Sequence, residues 1–145
     1  EAMVLLKAAE MLLGSKGDGE NQYQQAAFLY ALQYVATVKT IGPPDVDERR
    51  RLADHLNSIA WEVYENVDDP AFLWAAVSWT KEALSYEPED WPIWDTLGAL
   101  YYKLKRKKEA IEALSKAIAL AKAQKVSEDE YKATLELLQK AEALE

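Results

Sequence analysis

Apolar residues recur at helical spacing along most of the chain. From Ala2 to Leu13 they fall on every third or fourth position, and the same spacing returns near residues 22–40 and again beyond residue 45. A half-buried strand would place them at every second position instead. The pattern therefore predicts an all-α chain of seven helices, each with one apolar face turned toward a core.

Residues that begin or end helices separate these apolar stripes. Three glycines break the chain over residues 14–20, and Gly42 with two prolines ends the second predicted helix. The predicted helix starts are Asp45 with Glu48, Asp69 before Pro70, and Ser127 with Glu130. These signals divide a single domain, residues 1–145, into a hairpin over 1–42, a hairpin over 45–88, a hairpin over 90–124 and a closing helix over 127–145.

The segment from Trp91 to Leu120 carries a repeat signature. Its positions are Trp94, Leu97, Gly98, Tyr101, Ala110, Leu114 and Ala117, spaced as W-x2-L-G-x2-Y followed by A-x3-F and a further alanine. Gly98 has no side chain and lets a second helix approach closely. The segment resembles the tetratricopeptide repeat family. This resemblance implies a right-handed superhelical stack of about three antiparallel helix hairpins, with a C-terminal capping helix.

The hairpin over 45–88 carries a less regular copy of the signature. The hairpin over 1–42 is interpreted as a degenerate repeat from its context alone, because the signature cannot be placed in it without an arbitrary gap. In the former, the large and small residues of the signature return at Leu56, Ile59, Ala60 and Val63. Aligning Ile59 with Leu97 requires about four residues beyond the 34 of the family repeat, which predicts a lengthened turn around Asn66 to Pro70. The run LNSIAWEVYENVDDP is also similar to helical repeat segments in C-terminal extensions of bacterial thioredoxin-like proteins, although no thioredoxin motif is present.

The resemblance further implies a concave groove on the first helices of the hairpins, where the family binds extended peptides. The residues that map to this groove or beside it are Asp54, Asn57, Trp61, Tyr64, Asp95, Ala99 and Tyr102. Such an aromatic and acidic groove favours an extended peptide segment that is basic or neutral. The carboxylate clamp of some family members is not expected, because Asp95 and Ala99 stand where those members present lysine, asparagine and arginine.

The remaining aromatic residues have structural interpretations. Trp94 and Tyr101 are expected in the core by the logic of the repeat. Trp74 and Trp91 fall outside the core set, so they either pack around the predicted long turn or form a second exposed patch.

Composition narrows the classes of partner. The chain has 145 residues, half of them hydrophobic, and a formal net charge of −8. Negative charge repels the phosphates of nucleic acids and the anionic face of a membrane, so binding to either is not predicted. Membrane insertion is not predicted because a long apolar run is lacking. No cysteine is present for a disulfide, a zinc-thiolate site or a thiol nucleophile. No apolar run approaches the roughly 20 residues of a membrane-spanning helix.

No catalytic site, metal site or cofactor is predicted. His55, the sole histidine, is expected on an exposed helix surface, and no second histidine or cysteine can complete a ligand set with it. The acidic residues 45–48 lack the glycine and the spacing of a calcium loop. The basic run from Lys103 to Lys108 is expected to stay solvated near a helix C-terminus.

The sequence therefore predicts a non-catalytic protein–protein interaction module with a protein or peptide partner. The alternative is the accessory C-terminal domain of a larger enzyme such as a bacterial thioredoxin-like protein, and residues preceding Glu1 would distinguish the two. The chain opens without a start methionine, which predicts a processed or excised piece. A homodimer through the amphipathic helices, and a location in the bacterial cell envelope or in the cytoplasm, stay open at this point.

Overall fold

A computed structural model describes residues 45–145, and these residues fold into five α-helices without a β-strand. The helices are α1 (Val46–Asn66), α2 (Pro70–Tyr86), α3 (Trp91–Lys103), α4 (Lys107–Ala123) and α5 (Glu128–Glu142). The predicted all-α fold is thus confirmed for this part of the chain. The predicted hairpin over 1–42 lies outside the described residues.

Side chains at two of the predicted helix starts make the expected capping bonds. The carboxylate of Asp45 accepts a hydrogen bond from the Glu48 amide at 2.9 Å, and that of Asp69 accepts one from the Ala71 amide at 2.9 Å. Ser127 precedes α5, but its side chain makes no capping bond. The predicted capping box at Ser127 is therefore wrong, although the helix begins where the sequence places it.

Helices that are adjacent in the chain pack against each other, and the odd-numbered helices also pack side by side. The packed pairs are α1 with α2, α2 with α3, α3 with α4, α4 with α5, α1 with α3, and α3 with α5. Apolar side chains from the first four helices fill the space between them. The largest fully buried ones are Leu56, Ile59, Leu73, Trp79, Ile93, Leu100 and Leu114.

Gly98 lies where α3 meets α4, as its place in the repeat signature predicts. A Cβ atom built on Gly98 would lie 2.5 Å from Leu114 Cγ and 3.2 Å from the Leu114 backbone nitrogen. Tyr101 is buried, as expected, with 7% of its surface exposed. Trp94, expected in the core, is only partly buried, and its indole nitrogen donates a hydrogen bond to the Pro88 carbonyl at 2.9 Å.

The connection between α1 and α2 is not lengthened. It spans residues 67–69, and the corresponding connection between α3 and α4 spans residues 104–106, so the two have equal length. Three of the four extra residues instead lie in the first part of α2, before Ala76, and one lies at the end of α1. Asp69 caps α2, and Pro70 occupies its first turn. Proline at that position loses no hydrogen bond, because the first amides of a helix have no partner within it.

Candidate functional site

The surface formed by α1 and α3 gathers most of the predicted groove residues. The rings of Trp61 and Tyr64, one helical turn apart on α1, have centroids separated by 5.0 Å. The pKa of Tyr64 is raised, first by burial and then by the nearby Tyr102 and Asp95 of α3. All four side chains are partly exposed. We call Trp61, Tyr64, Asp95 and Tyr102, together with Asn57, the aromatic-acidic face.

Two predicted groove residues take other places. Asp54 is exposed and lies toward the start of α3, where it helps to raise the pKa of Asp90 after the larger effect of burial. Ala99 is fully buried. Its side chain therefore offers no accessible area to a ligand, although it lies on the predicted helix.

Asp95 is a partly buried carboxylate with a neutral partner. It accepts a hydrogen bond from the side chain of Thr134 on α5, while burial raises its pKa above the usual range. Among residues 45–145, no lysine, arginine or histidine forms an ion pair with Asp95. Thr134 was not predicted as a site residue. The sequence did contain a signal for it, because Thr134 is a polar residue within the apolar stripe formed by Tyr131, Leu135 and Leu138.

Asn57 contributes an unpaired acceptor to the same face. Its Oδ1 is buried and has no hydrogen-bond partner. A buried polar atom without a partner is uncommon and costs free energy, since water would have bonded it in the unfolded chain. The partly exposed Asp95 is thus the accessible acceptor of the aromatic-acidic face, whereas Asn57 Oδ1 is enclosed by the protein.

At one end of the aromatic-acidic face, Lys103 of α3 bonds to the C-terminal end of α1. Its ammonium group donates a hydrogen bond to the Tyr64 carbonyl at 2.6 Å, pairs with the Asp68 carboxylate at 3.1 Å, and lies 5.6 Å from the centroid of the Tyr64 ring. Tyr64 belongs to the last turn of α1, whose carbonyls lack helical partners. Lys103 therefore caps α1 from α3. The sequence predicted a solvated cation here, but the side chain is only 23% exposed.

Replacing Lys103 with methionine should destabilise the fold by about 1–2 kcal/mol, because the Tyr64 carbonyl loses a charged hydrogen-bond donor. Methionine keeps the length and the apolar stem of the side chain. Asp68→Asn is the matched control: the Asp68 side chain is 99% exposed, so its ion pair contributes little. Urea denaturation measures both changes. Equal effects of the two variants would contradict the capping role of Lys103.

The Asp95 carboxylate should lower stability at neutral pH. A carboxyl group whose pKa is raised by folding binds more protons in the folded state, so stability falls as pH rises from its ordinary value of 3.8 through the raised value. Asp95→Asn keeps the acceptor for Thr134 without the charge. The variant should therefore melt above the parent at about pH 7 and close to it at about pH 3, where the carboxyl is uncharged in both states. A variant less stable than the parent at neutral pH would show that the charge is compensated.

A second aromatic patch lies around Trp74 on α2. The Trp74 side chain is 42% exposed. Trp74 contacts Tyr101 edge to face, with ring centroids 6.2 Å apart, and the Arg106 guanidinium lies 5.6 Å from the Trp74 ring centroid. Trp91 instead packs edge to face on the buried Tyr131 at 6.5 Å. Of the two tryptophans whose role was open, Trp74 thus belongs to an exposed patch and Trp91 to packing against α5.

Other kinds of site were sought in the same part of the chain. Residues 45–145 hold no group of three or more histidine, cysteine, aspartate or glutamate side chains arranged to bind a metal ion. None of the helices α1 to α5 is both long and apolar enough to cross a membrane. His55 is partly buried on α1, not fully exposed as the sequence suggested.

No protein-family model matches the chain, and neither the curated proteins nor the solved structures gave a match.

Proposed function

We propose that the chain is a non-catalytic interaction module that binds an extended, basic or neutral peptide segment on the aromatic-acidic face. The observation that carries the proposal is the group of three partly exposed aromatic side chains, Trp61, Tyr64 and Tyr102, on two packed helices. Aromatic side chains supply large contact areas at a small cost in conformational entropy, which makes them frequent binding hot spots.

We propose further that the helices form a tetratricopeptide-like stack with this face on its concave side. The packing of α1 with α3 and of α3 with α5, in addition to that of sequential neighbours, supports such a stack. The close contact of Gly98 with Leu114 supports the same arrangement within the hairpin of α3 and α4. In a stack of this kind the odd-numbered helices line one side together.

Charge sets the class of peptide. Glu65 is exposed next to Tyr64 on α1, Asp54 is exposed near the start of α3, and Asp95 lies on α3. Together with a net charge of −8, they disfavour an acidic segment at long range and favour a basic one. The aromatic contacts do not depend on the charge of the peptide, so the face should also bind a neutral segment.

Selection from a displayed library of random peptides tests the proposal. Peptides enriched by the parent chain should lack clusters of acidic residues. Their affinity, measured by fluorescence anisotropy, should fall several-fold as salt rises from about 0.05 M to about 0.5 M, because exposed charges are screened over about 10 Å at 0.1 M. No enriched peptide, or enrichment of acidic ones, would contradict the proposed function.

A further inference from the structure

A groove lies between α2 and α4, on a different surface from the aromatic-acidic face. Both helices pack against α3, but they have no extensive contact with each other. The groove contains a cavity of about 360 Å³, and its apolar lining comes from Leu84, Trp94, Leu97, Tyr101 and Ala113. An apolar cavity of about 150 Å³ accommodates benzene in another protein. The larger cavity in this groove therefore has room for an indole group.

The exposed Trp74 lies beside this cavity on the same surface. Its ring contacts Tyr101 edge to face, and Tyr101 also lines the cavity. Trp74 precedes Lys81, another residue at the cavity, by two turns of α2, which is about 10 Å along the groove. One surface thus presents an exposed indole and an apolar cavity side by side, with Tyr101 as their common neighbour.

Such a surface is complementary to itself. A two-fold axis that crosses the groove between Trp74 and the cavity exchanges their positions. A second copy related by this axis therefore places its Trp74 in the cavity of the first copy and receives the first copy's Trp74 in return. Symmetric dimers commonly use the same surface patch on both subunits in this way.

The charges on α4 agree with the same symmetry. Arg106 lies at the Trp74 end of the groove, 5.6 Å from the Trp74 ring centroid, whereas Glu112 lies at the cavity. The axis that exchanges Trp74 with the cavity therefore brings Arg106 of each copy toward Glu112 of the other. Glu112 forms no ion pair with any of residues 45–145, and Arg106 pairs only with Glu109 in this part of the chain. Two further ion pairs can thus form between the copies.

The outer side of α2 is suited to being covered. Only Lys81 and Glu82 are charged in this helix, whereas α4, which has the same length of 17 residues, carries six charged residues. Ser78 and Ser85 are exposed, but their hydroxyl groups donate hydrogen bonds to carbonyls of α2 itself. A neighbouring molecule can therefore cover this side without leaving these hydroxyl groups unsatisfied.

We propose that two copies of this chain form a dimer across the groove between α2 and α4, each inserting Trp74 into the cavity of the other. The pairing leaves Trp61 and Tyr102 uncovered, so it does not depend on peptide binding by the aromatic-acidic face. The dimer adds a second interaction surface to the proposed function.

Sedimentation equilibrium of the complete chain tests the dimer. Between about 1 and 300 µM the parent should convert reversibly from monomer to dimer. Trp74→Ala should raise the dissociation constant of the dimer by about a hundredfold or more, because each dimer loses two buried tryptophans. Trp61→Ala is the matched control and should leave dimerisation unchanged. Circular dichroism confirms that each variant folds.

Reversal of charge tests the symmetry of the pairing. Glu112→Arg places arginines opposite each other twice in each dimer, and should raise the dissociation constant by about tenfold or more. Arg106→Glu should have a similar effect, because it opposes two carboxylates. The double variant exchanges the two charges and keeps an arginine three residues from Glu109, so it should dimerise within about threefold of the parent.

Three results would overturn the proposal. A chain that stays monomeric at about 300 µM would leave the groove to a different protein. A dimer that is as stable in Trp74→Ala as in the parent would place the contact between copies on another surface. A double charge variant that dimerises as weakly as the single variants would rule out the proposed two-fold arrangement. Peptide binding by the aromatic-acidic face is unaffected by all three results.

Discussion

Replacing Gly98 with leucine should destabilise the fold by about 3 kcal/mol or more, in the upper range of overpacking effects. Even a single Cβ atom at this position would lie 2.5 Å from Leu114 Cγ, and Leu114 is fully buried. The backbone nitrogen of Leu114 is 3.2 Å from the same point. Leucine at position 98 therefore forces α3 and α4 apart. Urea denaturation of the two proteins measures the loss.

A pair of alanine variants isolates the contact from general effects on the helix. In an ordinary helix, Gly→Ala stabilises by about 1 kcal/mol. Gly98→Ala should destabilise the parent, because the new methyl group meets the Leu114 side chain. In a Leu114→Ala background, which itself costs about 2–5 kcal/mol, the same change should become neutral or stabilising.

The control for added bulk is Ala119→Leu on the exposed side of α4, which should have little effect. A Gly98→Leu variant as stable as the parent would show that α3 and α4 do not approach each other at Gly98. An identical effect of Gly98→Ala in both backgrounds would show that Leu114 is not the opposing residue.

Replacing Trp61 and Tyr102 together with alanine should weaken binding of a selected peptide by about thirtyfold or more, since hot-spot aromatics commonly contribute at least 2 kcal/mol. Both side chains are partly exposed, and alanine has the highest helix propensity, so the helical content should change little. Tyr102 also packs against the core, which predicts a moderately lower melting temperature. Fluorescence anisotropy and circular dichroism measure the two effects separately.

Trp74→Ala is the matched control for this double variant, because it removes an exposed tryptophan from a different surface. It should bind the selected peptide as the parent does. Loss of binding in Trp74→Ala together with retention in the double variant would move the binding surface to the patch around Trp74.

Local features of the fold could be predicted from the sequence. The capping bonds of Asp45 and Asp69 join residues that are close in the chain, so the sequence pattern contains both partners. The position of Gly98 at a helix crossing followed from the repeat spacing, because a helix buries the same face at regular intervals. The all-α fold of residues 45–145 followed from the same periodicity.

Contacts between distant parts of the chain could not be predicted in the same way. The hydrogen bond from Lys103 to the Tyr64 carbonyl and that from Thr134 to Asp95 depend on how the odd-numbered helices pack. The basic run that begins at Lys103 was predicted to be solvated, because the sequence does not show that the end of α1 lies beside Lys103. The sequence gives no signal for the unpaired Oδ1 of Asn57, since an asparagine with an exposed, hydrated side chain could stand at the same position of the pattern.

Nuclear magnetic resonance of the tryptophan indole groups tests peptide binding on the aromatic-acidic face most directly. The chain has five tryptophans, so the isotope-labelled protein gives five indole N–H signals, each assigned by a Trp→Phe variant. Titration with a selected peptide should shift the signal of Trp61 most and leave that of Trp74 almost unchanged. A large shift of Trp74 with an unchanged Trp61 would place the peptide elsewhere and contradict the proposed binding surface.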